Sequence, residues 1–269
     1  LSLARLVEAH WDAVAILAEA RREAEPGMLY GVWAAEGPDK TITMQRNCIA
    51  GTKAFCSGAG IVDRALVTVK EPEPLLVDVD LSSSEGLIEL DDSSWKTWAF
   101  AETRTASVTF DSVPVEAQSI VGTSGFYLHR IGFWHGACGP AACWAGGAAG
   151  LLDWALKQQR ADPHTLAHLG AMHAAVWSMQ AALHTAGQEI DAHWSDREGA
   201  QMRALALRHM VEQACTDVIR RLPRAYGPHP LVMDENVARR YAELDIYLRQ
   251  SHAERDLYSL GTLVRQSHV

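Results

Sequence analysis

Lysine is scarce in this chain. There are five (Lys40, Lys53, Lys70, Lys96 and Lys157) among 269 residues, so 19 of the 24 basic residues are arginine. Positive charge as a whole falls short: 33 acidic residues leave a formal net charge of −9. That balance excludes a protein built mainly to bind nucleic acid, because neutralising phosphates favours a basic face. Long apolar runs are missing too. None reaches the roughly 18 residues of a membrane span, so no membrane partner is expected. Cysteine is sparse and odd in number, five spread along the chain. This excludes a disulfide framework and points to a reducing, cytoplasmic compartment. Disorder is excluded as well, since 48% of residues are hydrophobic and only 21% charged. A chain of this length can bury a core without staples. The arginine bias with abundant Ala and Gly has the look of a GC-rich bacterial coding sequence. The chain begins at Leu1 rather than Met, inside a helical pattern, and is expected to be part of something longer.

Three regions follow from the residue patterns, giving an α+β expectation. Residues 1–27 repeat apolar positions at helical spacing (Leu3, Leu6, Val7, Trp11, Val14, Leu17) until Pro26 and Gly27 stop them. They read as the remnant of an amino-terminal helical layer. Residues 28–123 change to short β-branched stretches, at Ala65–Val69, Leu75–Val79, Leu87–Leu90 and Ala106–Phe110, punctuated by Gly, Pro, Ser and Asp. That is the signature of an antiparallel β sandwich or barrel. Residues 124–269 are helical again, with stretches at Gly139–Arg160, Leu166–Trp194, Gly199–Tyr226 and Asn236–Arg265. Four long helices with short connections predict an up-down four-helix bundle.

Eleven of the twelve histidines lie in that last region, which raises the question of a metal. A di-iron bundle needs Glu-x-x-His on two helices. Here Glu189 and His193 are four apart, and Cys138 and Cys143 lack Cys-x-x-Cys spacing. No metal is expected; His164, His168, His173, His184 and His193 are read as surface residues or subunit contacts.

Three segments in order make the chain specific. The first is Ile49-Ala50-Gly51-Thr52-Lys53-Ala54-Phe55-Cys56-Ser57-Gly58-Ala59 with Asp63-Arg64-Ala65-Leu66-Val67. The second is Val108-Thr109-Phe110-Asp111-Ser112-Val113-Pro114-Val115, running to Ile120-Val121-Gly122. The third is Tyr226-Gly227-Pro228 followed by Arg239-Arg240, Asp245 and Arg249-Gln250-Ser251-His252-Ala253-Glu254. Together they resemble the acyl-CoA dehydrogenase superfamily of flavoproteins over nearly the whole chain. The resemblance implies a central antiparallel β domain followed by the bundle, with FAD held at their junction. It implies a homodimer or homotetramer, an acyl-CoA or related acyl thioester as substrate, and an electron-transfer partner.

The resemblance also implies cofactor-binding residues. Phe55 would be the aromatic against the isoalloxazine and Ser57 the hydroxyl near flavin N5, where a donor stabilises charge on the reduced ring. Trp33, in Gly31-Val32-Trp33-Ala34-Ala35-Glu36, resembles the family's first β-strand before its flavin loop, and a loop missing after Glu36 would explain the absence of the family's small hydroxyl residues there. Gly227 matches a glycine turn that approaches the cofactor, where a missing Cβ allows close approach. Arg160 corresponds to the arginine that meets a neighbouring subunit's flavin pyrophosphate. Without the flanking matches, Phe55 and Ser57 would read as a core and a turn residue, and Arg160 as a surface charge.

The family's commonest proton acceptor, a Glu before Gly-Thr, has no counterpart in this sequence. Near its position stand His252 and Glu254, the candidate catalytic pair for α,β-dehydrogenation of an acyl thioester. In the alternative early-helix position, Phe133-Trp134-His135-Gly136-Ala137, His135 is the sole titratable group. A histidine in this terminal loop also resembles the flavin-dependent monooxygenase branch, and a non-catalytic scaffold is the third reading.

Overall fold

The computed structural model describes residues 1–37 and 41–267. The chain divides into two compact units, Ser2–Phe133 and the chain from Trp134 onward, the latter joined by Leu1.

The first unit opens with α1 (Ser2–Glu19), which buries Ala13, Ile16 and Leu17 against β1 (Tyr30–Trp33). Seven strands follow in two sheets. One has the order β1-β4-β5, with β4 at Arg64–Val69 and β5 at Leu75–Asp80. The other has the order β2-β3-β7-β6, with β2 at Ile42–Gln45, β3 at Cys48–Cys56, β6 at Ile88–Asp91 and β7 at Ala106–Pro114. All pairings are antiparallel except β1 with β4, where the chain leaves the sheet through β2 and β3 before returning. The strand stretches read from the sequence are β4, β5, β6 and β7. Between the sheets lies one core of Trp33, Ile49, Val67, Val77, Val108 and Phe110.

Two details of β3 matter below. The β2–β3 turn uses Arg46 and Asn47 at φ 50° and 60°, the left-handed pair that matches a hairpin's twist. The β3–β7 register then slips twice, between Ile49 and Gly51 and between Lys53 and Cys56. Gly51 has φ 122° against the Thr41 carbonyl, where a Cβ would collide. After β7, Arg130 follows the short α2 (Phe126–His129) and pairs with Asp12 (3.1 Å) and Glu19 (3.2 Å) of α1.

The second unit is helical. After the single turn α3 (Gly132–Gly136) come α4 (Cys138–Leu156), α5 (Pro163–Ala192) and α6 (Arg197–Tyr226), then α7 (His229–Met233), α8 (Glu235–Leu248) and α9 (Glu254–Ser267). Aspartates cap the starts: Asp162 for α5, Asp196 for α6 and Asp234 for α8, each accepting backbone N–H bonds. The four-residue link between α5 and α6 makes them antiparallel neighbours. α6 packs on α4, α5 and α9, and α4 also carries α8.

The fourth long helix expected over Asn236–Arg265 is two helices, broken at 249–253. Apolar residues at helical spacing resume beyond the break at Leu257 and Leu260, so the two helices read as one pattern although Leu257 is half a turn out of phase with Leu248. Local polar bonds make the break. Asp256 accepts from the His252 N–H at 3.2 Å, Ser251 Oγ from the Ala253 N–H at 3.3 Å, and Ala253 sits at φ 47°.

Candidate functional site

In the β unit, the second register slip of β3 sets the geometry. It places Phe55 at φ 56° with its ring 61% exposed, while Cys56 on its flank is buried. An outward phenyl ring between the buried Ala54 and Cys56 is a flat platform rather than core. Trp33, 2% exposed, lies beneath in the core, 6.4 Å from the Phe110 ring, and donates from Nε1 to the Ser57 carbonyl at 3.0 Å. The structure thus ties Trp33 to Ser57, and Phe55 stands two residues before Ser57 at the end of β3.

A chain of hydroxyls fixes the polarity of Ser57. Thr103 Oγ1 donates to the Phe100 carbonyl at 2.7 Å and lies 2.8 Å from Thr105 Oγ1, which lies 3.1 Å from Ser57 Oγ. Each hydroxyl has one hydrogen. With that of Thr103 committed to a carbonyl, Thr105 donates to Thr103 and Ser57 donates to Thr105. Ser57 therefore offers lone pairs outward. The sequence reading anticipated a donor at this position; in this arrangement the hydroxyl is an acceptor. Thr103 and Thr105 carried no signal of this in the sequence.

Lys53 is a second feature that the sequence quoted without explaining. It is 2% exposed, and its Nζ reaches Thr68 Oγ1 (2.7 Å) and the Thr68 carbonyl (3.3 Å) on β4. Burial holds its ammonium below the ordinary lysine range, with Glu36 opposing that shift. On the other side of Thr68 is a cleft of about 400 Å³. Its walls are Leu75, Tyr127 and Leu128, and its polar groups are Thr68, Lys70, His129 and Glu36. Lys70 pairs with Glu36 at 3.9 Å. The stretch beyond Glu36, where a loop is expected to be missing, runs into residues 38–40, outside the described residues.

In the helical unit the expected residues fall at two ends of α6. Gly227 ends the helix at φ 69° and ψ −161°, with open space where a Cβ would stand. Near it, Thr165 Oγ1 lies 3.2 Å from the Ala225 carbonyl, and Tyr226 Oη donates to the Ala155 carbonyl at 3.0 Å. This places the start of α5, and with it Arg160, beside the Gly227 turn. Arg160 is 58% exposed and pairs with Asp162 at 2.8 Å. The Arg160 guanidinium, with backbone and hydroxyl donors from Thr165, holds the Asp162 carboxyl far below the usual range.

His252 and Glu254 lie at the other end. Arg208, in the first half of α6, donates to the Ala137 carbonyl at 3.0 Å and the Gln250 carbonyl at 2.8 Å, with its guanidinium 4.8 Å from the Trp144 ring. It ties the 249–253 loop to the α4 start. The 19 residues from Arg208 to Gly227 correspond to ~28 Å of helix. One copy of the chain therefore does not gather Arg160 and Gly227 with His252 and Glu254. His252 Nδ1 lies 3.3 Å from Asp256 Oδ1, so the carboxylate orients the imidazole and leaves Nε2 for other partners. The i,i+4 spacing of His252 and Asp256 could have found this pair in the sequence. Glu254 is exposed on the first turn of α9. His135 is buried, its Nε2 3.0 Å from the Trp194 carbonyl.

Burial pushes the Cys138 thiol up to about 11 and the Cys215 thiol up to about 12, which leaves both as poor nucleophiles. Among the described residues, no group of three or more His, Cys, Asp or Glu converges as a metal site would require.

No family model matches the sequence, and no curated protein matches it. Solved structures do share its fold. The chain superposes on dibenzothiophene monooxygenase (TdsC) from Paenibacillus sp. A11-2 with a TM-score of 0.80, at 19% identity, over 97% of this chain and 78% of that one. It superposes on methanesulfinate monooxygenase MsuC from Pseudomonas fluorescens with a TM-score of 0.75, at 17% identity, over 99% and 79%. An acyl-CoA dehydrogenase from Slackia heliotrinireducens DSM 20476 gives 0.72 at 16% identity over 99% and 74%. TdsC has also been solved with FMN bound. The fold is therefore that of the acyl-CoA dehydrogenase-like flavoproteins. Among the described residues, no helix is long and apolar enough to cross a membrane.

Proposed function

We propose that this chain is a flavin-dependent oxidoreductase, and that its reaction is monooxygenation. Its residues suit a flavin. Phe55 offers an outward aromatic face, and Ser57, braced by Trp33 and polarised by Thr105, offers an acceptor for a ring N–H. Gly227, open at its Cβ position, and Arg160 would meet the phosphate end of a flavin held by another copy. A bound flavin would supply two-electron chemistry, passing one oxygen atom of O2 to substrate and the other to water. The two electrons would come from a reduced nicotinamide, directly or through a flavin reductase, and two protons complete the water.

The observation that carries the choice of reaction is the 249–253 loop. Removing a proton α to a thioester calls for a carboxylate in a dry pocket. Glu254 instead stands exposed on a helix turn, while the loop presents His252 with Asp256 fixing its Nδ1. An imidazole held this way can give or take a proton at Nε2 as oxygen is transferred. Two monooxygenases among the similar structures support this reading. The rival is α,β-dehydrogenation of an acyl thioester with Glu254 as base. Anaerobic mixing of the flavin-loaded protein with a panel of acyl-CoA thioesters separates the two. The proposal expects no bleaching by acyl-CoA and rapid bleaching by a reduced nicotinamide plus reductase. Bleaching by an acyl-CoA that is abolished in Glu254→Gln would overturn it.

A further inference from the structure

β1 is shorter than the strand beside it. Its pairing with β4 ends at Trp33 and Val67, while β4 runs on to Val69 against β5. Thr68 has thus lost its strand neighbour on the β1 side, and its carbonyl and Oγ1 accept from the Lys53 Nζ of β3. The cleft of about 400 Å³ opens over this strand end. Glu36 lines it from beyond β1, Leu75 from the start of β5, and Tyr127, Leu128 and His129 from α2. The Gly125 N–H donates to the Pro74 carbonyl at 2.7 Å, which ties the α2 segment to the start of β5.

The floor of the cleft is rich in donors. An ammonium cannot accept a hydrogen bond, so Thr68 Oγ1 is the acceptor from Lys53 and keeps its own hydrogen for another group. Lys70, two residues on, lies on the same face of β4 and brings a second cation, 56% exposed. Among the described residues, no carboxylate touches the buried Lys53. Glu36 acts on it only from a distance and stands exposed, 3.9 Å from Lys70. Buried cations ordinarily have a counter-charge in contact. Two cations and a hydroxyl donor against one outlying carboxylate leave the cleft short of negative charge.

We propose that this cleft binds a small monocarboxylate with an apolar body. The carboxylate takes the Thr68 hydrogen and the Lys70 ammonium, and the body lies against Leu75, Tyr127 and Leu128. The volume is at the small end of the range for ligand pockets, which suits one ring or a short chain. A phosphate ester favours an arginine fork, and among the described residues no arginine lines the cleft. Glu36 is a competitor for Lys70 that the ligand displaces.

Isothermal titration of the full chain with phenylacetate tests this, with phenylacetamide as the neutral probe and acetate as the probe without a body. The site needs no flavin, so the titration is run before any is added and its outcome is separate from that of the flavin reading. Phenylacetate should bind at least about 10-fold more tightly than either comparison probe. Lys70→Met, at an exposed position, should bring phenylacetate down to the level of phenylacetamide. Glu36→Gln should tighten phenylacetate by removing the competitor, and Lys157→Met in the helical unit should match the wild type. Thr68→Val should weaken phenylacetate and phenylacetamide alike, with Lys70→Met carrying the test if that variant does not fold. Phenylacetate that fails to saturate the chain at millimolar concentration would overturn the proposal. So would equal affinity for phenylacetamide, or a Lys70→Met variant that binds phenylacetate as the wild type does.

Discussion

Replacing Arg208 with alanine should destabilise the helical unit far more than any surface arginine would. The guanidinium is 9% exposed and serves two carbonyls, that of Ala137 at the α4 start and that of Gln250 in the loop before α9. Truncation strands both carbonyls, at about 1–3 kcal/mol for each buried unpaired group, and forfeits the stacking on Trp144. Some of that loss is offset, because a charge no longer has to be held in the interior. The net expectation is about 3–5 kcal/mol. Arg208→Lys keeps the charge but has no fork to span two acceptors, so about half of that loss should remain. Arg220→Ala, which removes an exposed pair with Asp217, is the control and should cost under about 1 kcal/mol. Urea unfolding reads these as shifts in midpoint at constant slope. Amide exchange at 250–253 should speed up in Arg208→Lys before global unfolding does. A loss below about 1 kcal/mol in Arg208→Ala, or an unchanged loop in Arg208→Lys, would refute the claim that Arg208 holds the His252 loop.

Three further outcomes follow from the β unit. Lys53→Met should change how stability depends on pH. The folded state releases the Lys53 proton below the ordinary 10.5, so between that lowered value and 10.5 the unfolded chain holds more protons and stability rises with pH. Thermal melts from pH 8 to 10.5 should show that rise in the wild type and a flatter curve in Lys53→Met. Trp33→Phe removes the Nε1–H donor to Ser57 and part of a buried ring, and should cost about 1–3 kcal/mol in a melt while weakening flavin retention. Thr105→Val cuts the hydroxyl chain and lets the Ser57 hydrogen swing outward. With flavin bound, its reduction midpoint should move while the melting temperature stays nearly unchanged, and an unmoved potential would reject the assigned polarity.

The layout of the chain was legible because helical spacing marks α1 and the long helices, while short β-branched stretches bounded by turn residues mark β4 to β7. Phe55 and Ser57 were singled out by their flanking segment rather than by any property of their own. The helix break at 249–253 was not legible, since apolar residues at helical spacing resume at Leu257 and Leu260 and the break is made by single bonds to Asp256 and Ser251. Nor were Thr103, Thr105 and Arg208, whose partners lie 48 residues away for Thr105 and 42 for Arg208. Polar contacts at such separation leave no local pattern. Trp33 was singled out through the strand before the flavin loop; in the structure it is a buried side chain that donates to the Ser57 carbonyl.

The central claim is that Phe55 and Ser57 form a platform for a flavin ring, and the visible absorption spectrum of the purified chain tests it most directly. Incubated with FAD or FMN and freed of excess by gel filtration, the protein should retain yellow flavin bands with a perturbed fine structure. Phe55→Asp should lose them while still melting cooperatively. A colourless wild type after incubation with both flavins, or a Phe55→Asp variant that retains flavin as well as the wild type, would contradict the account.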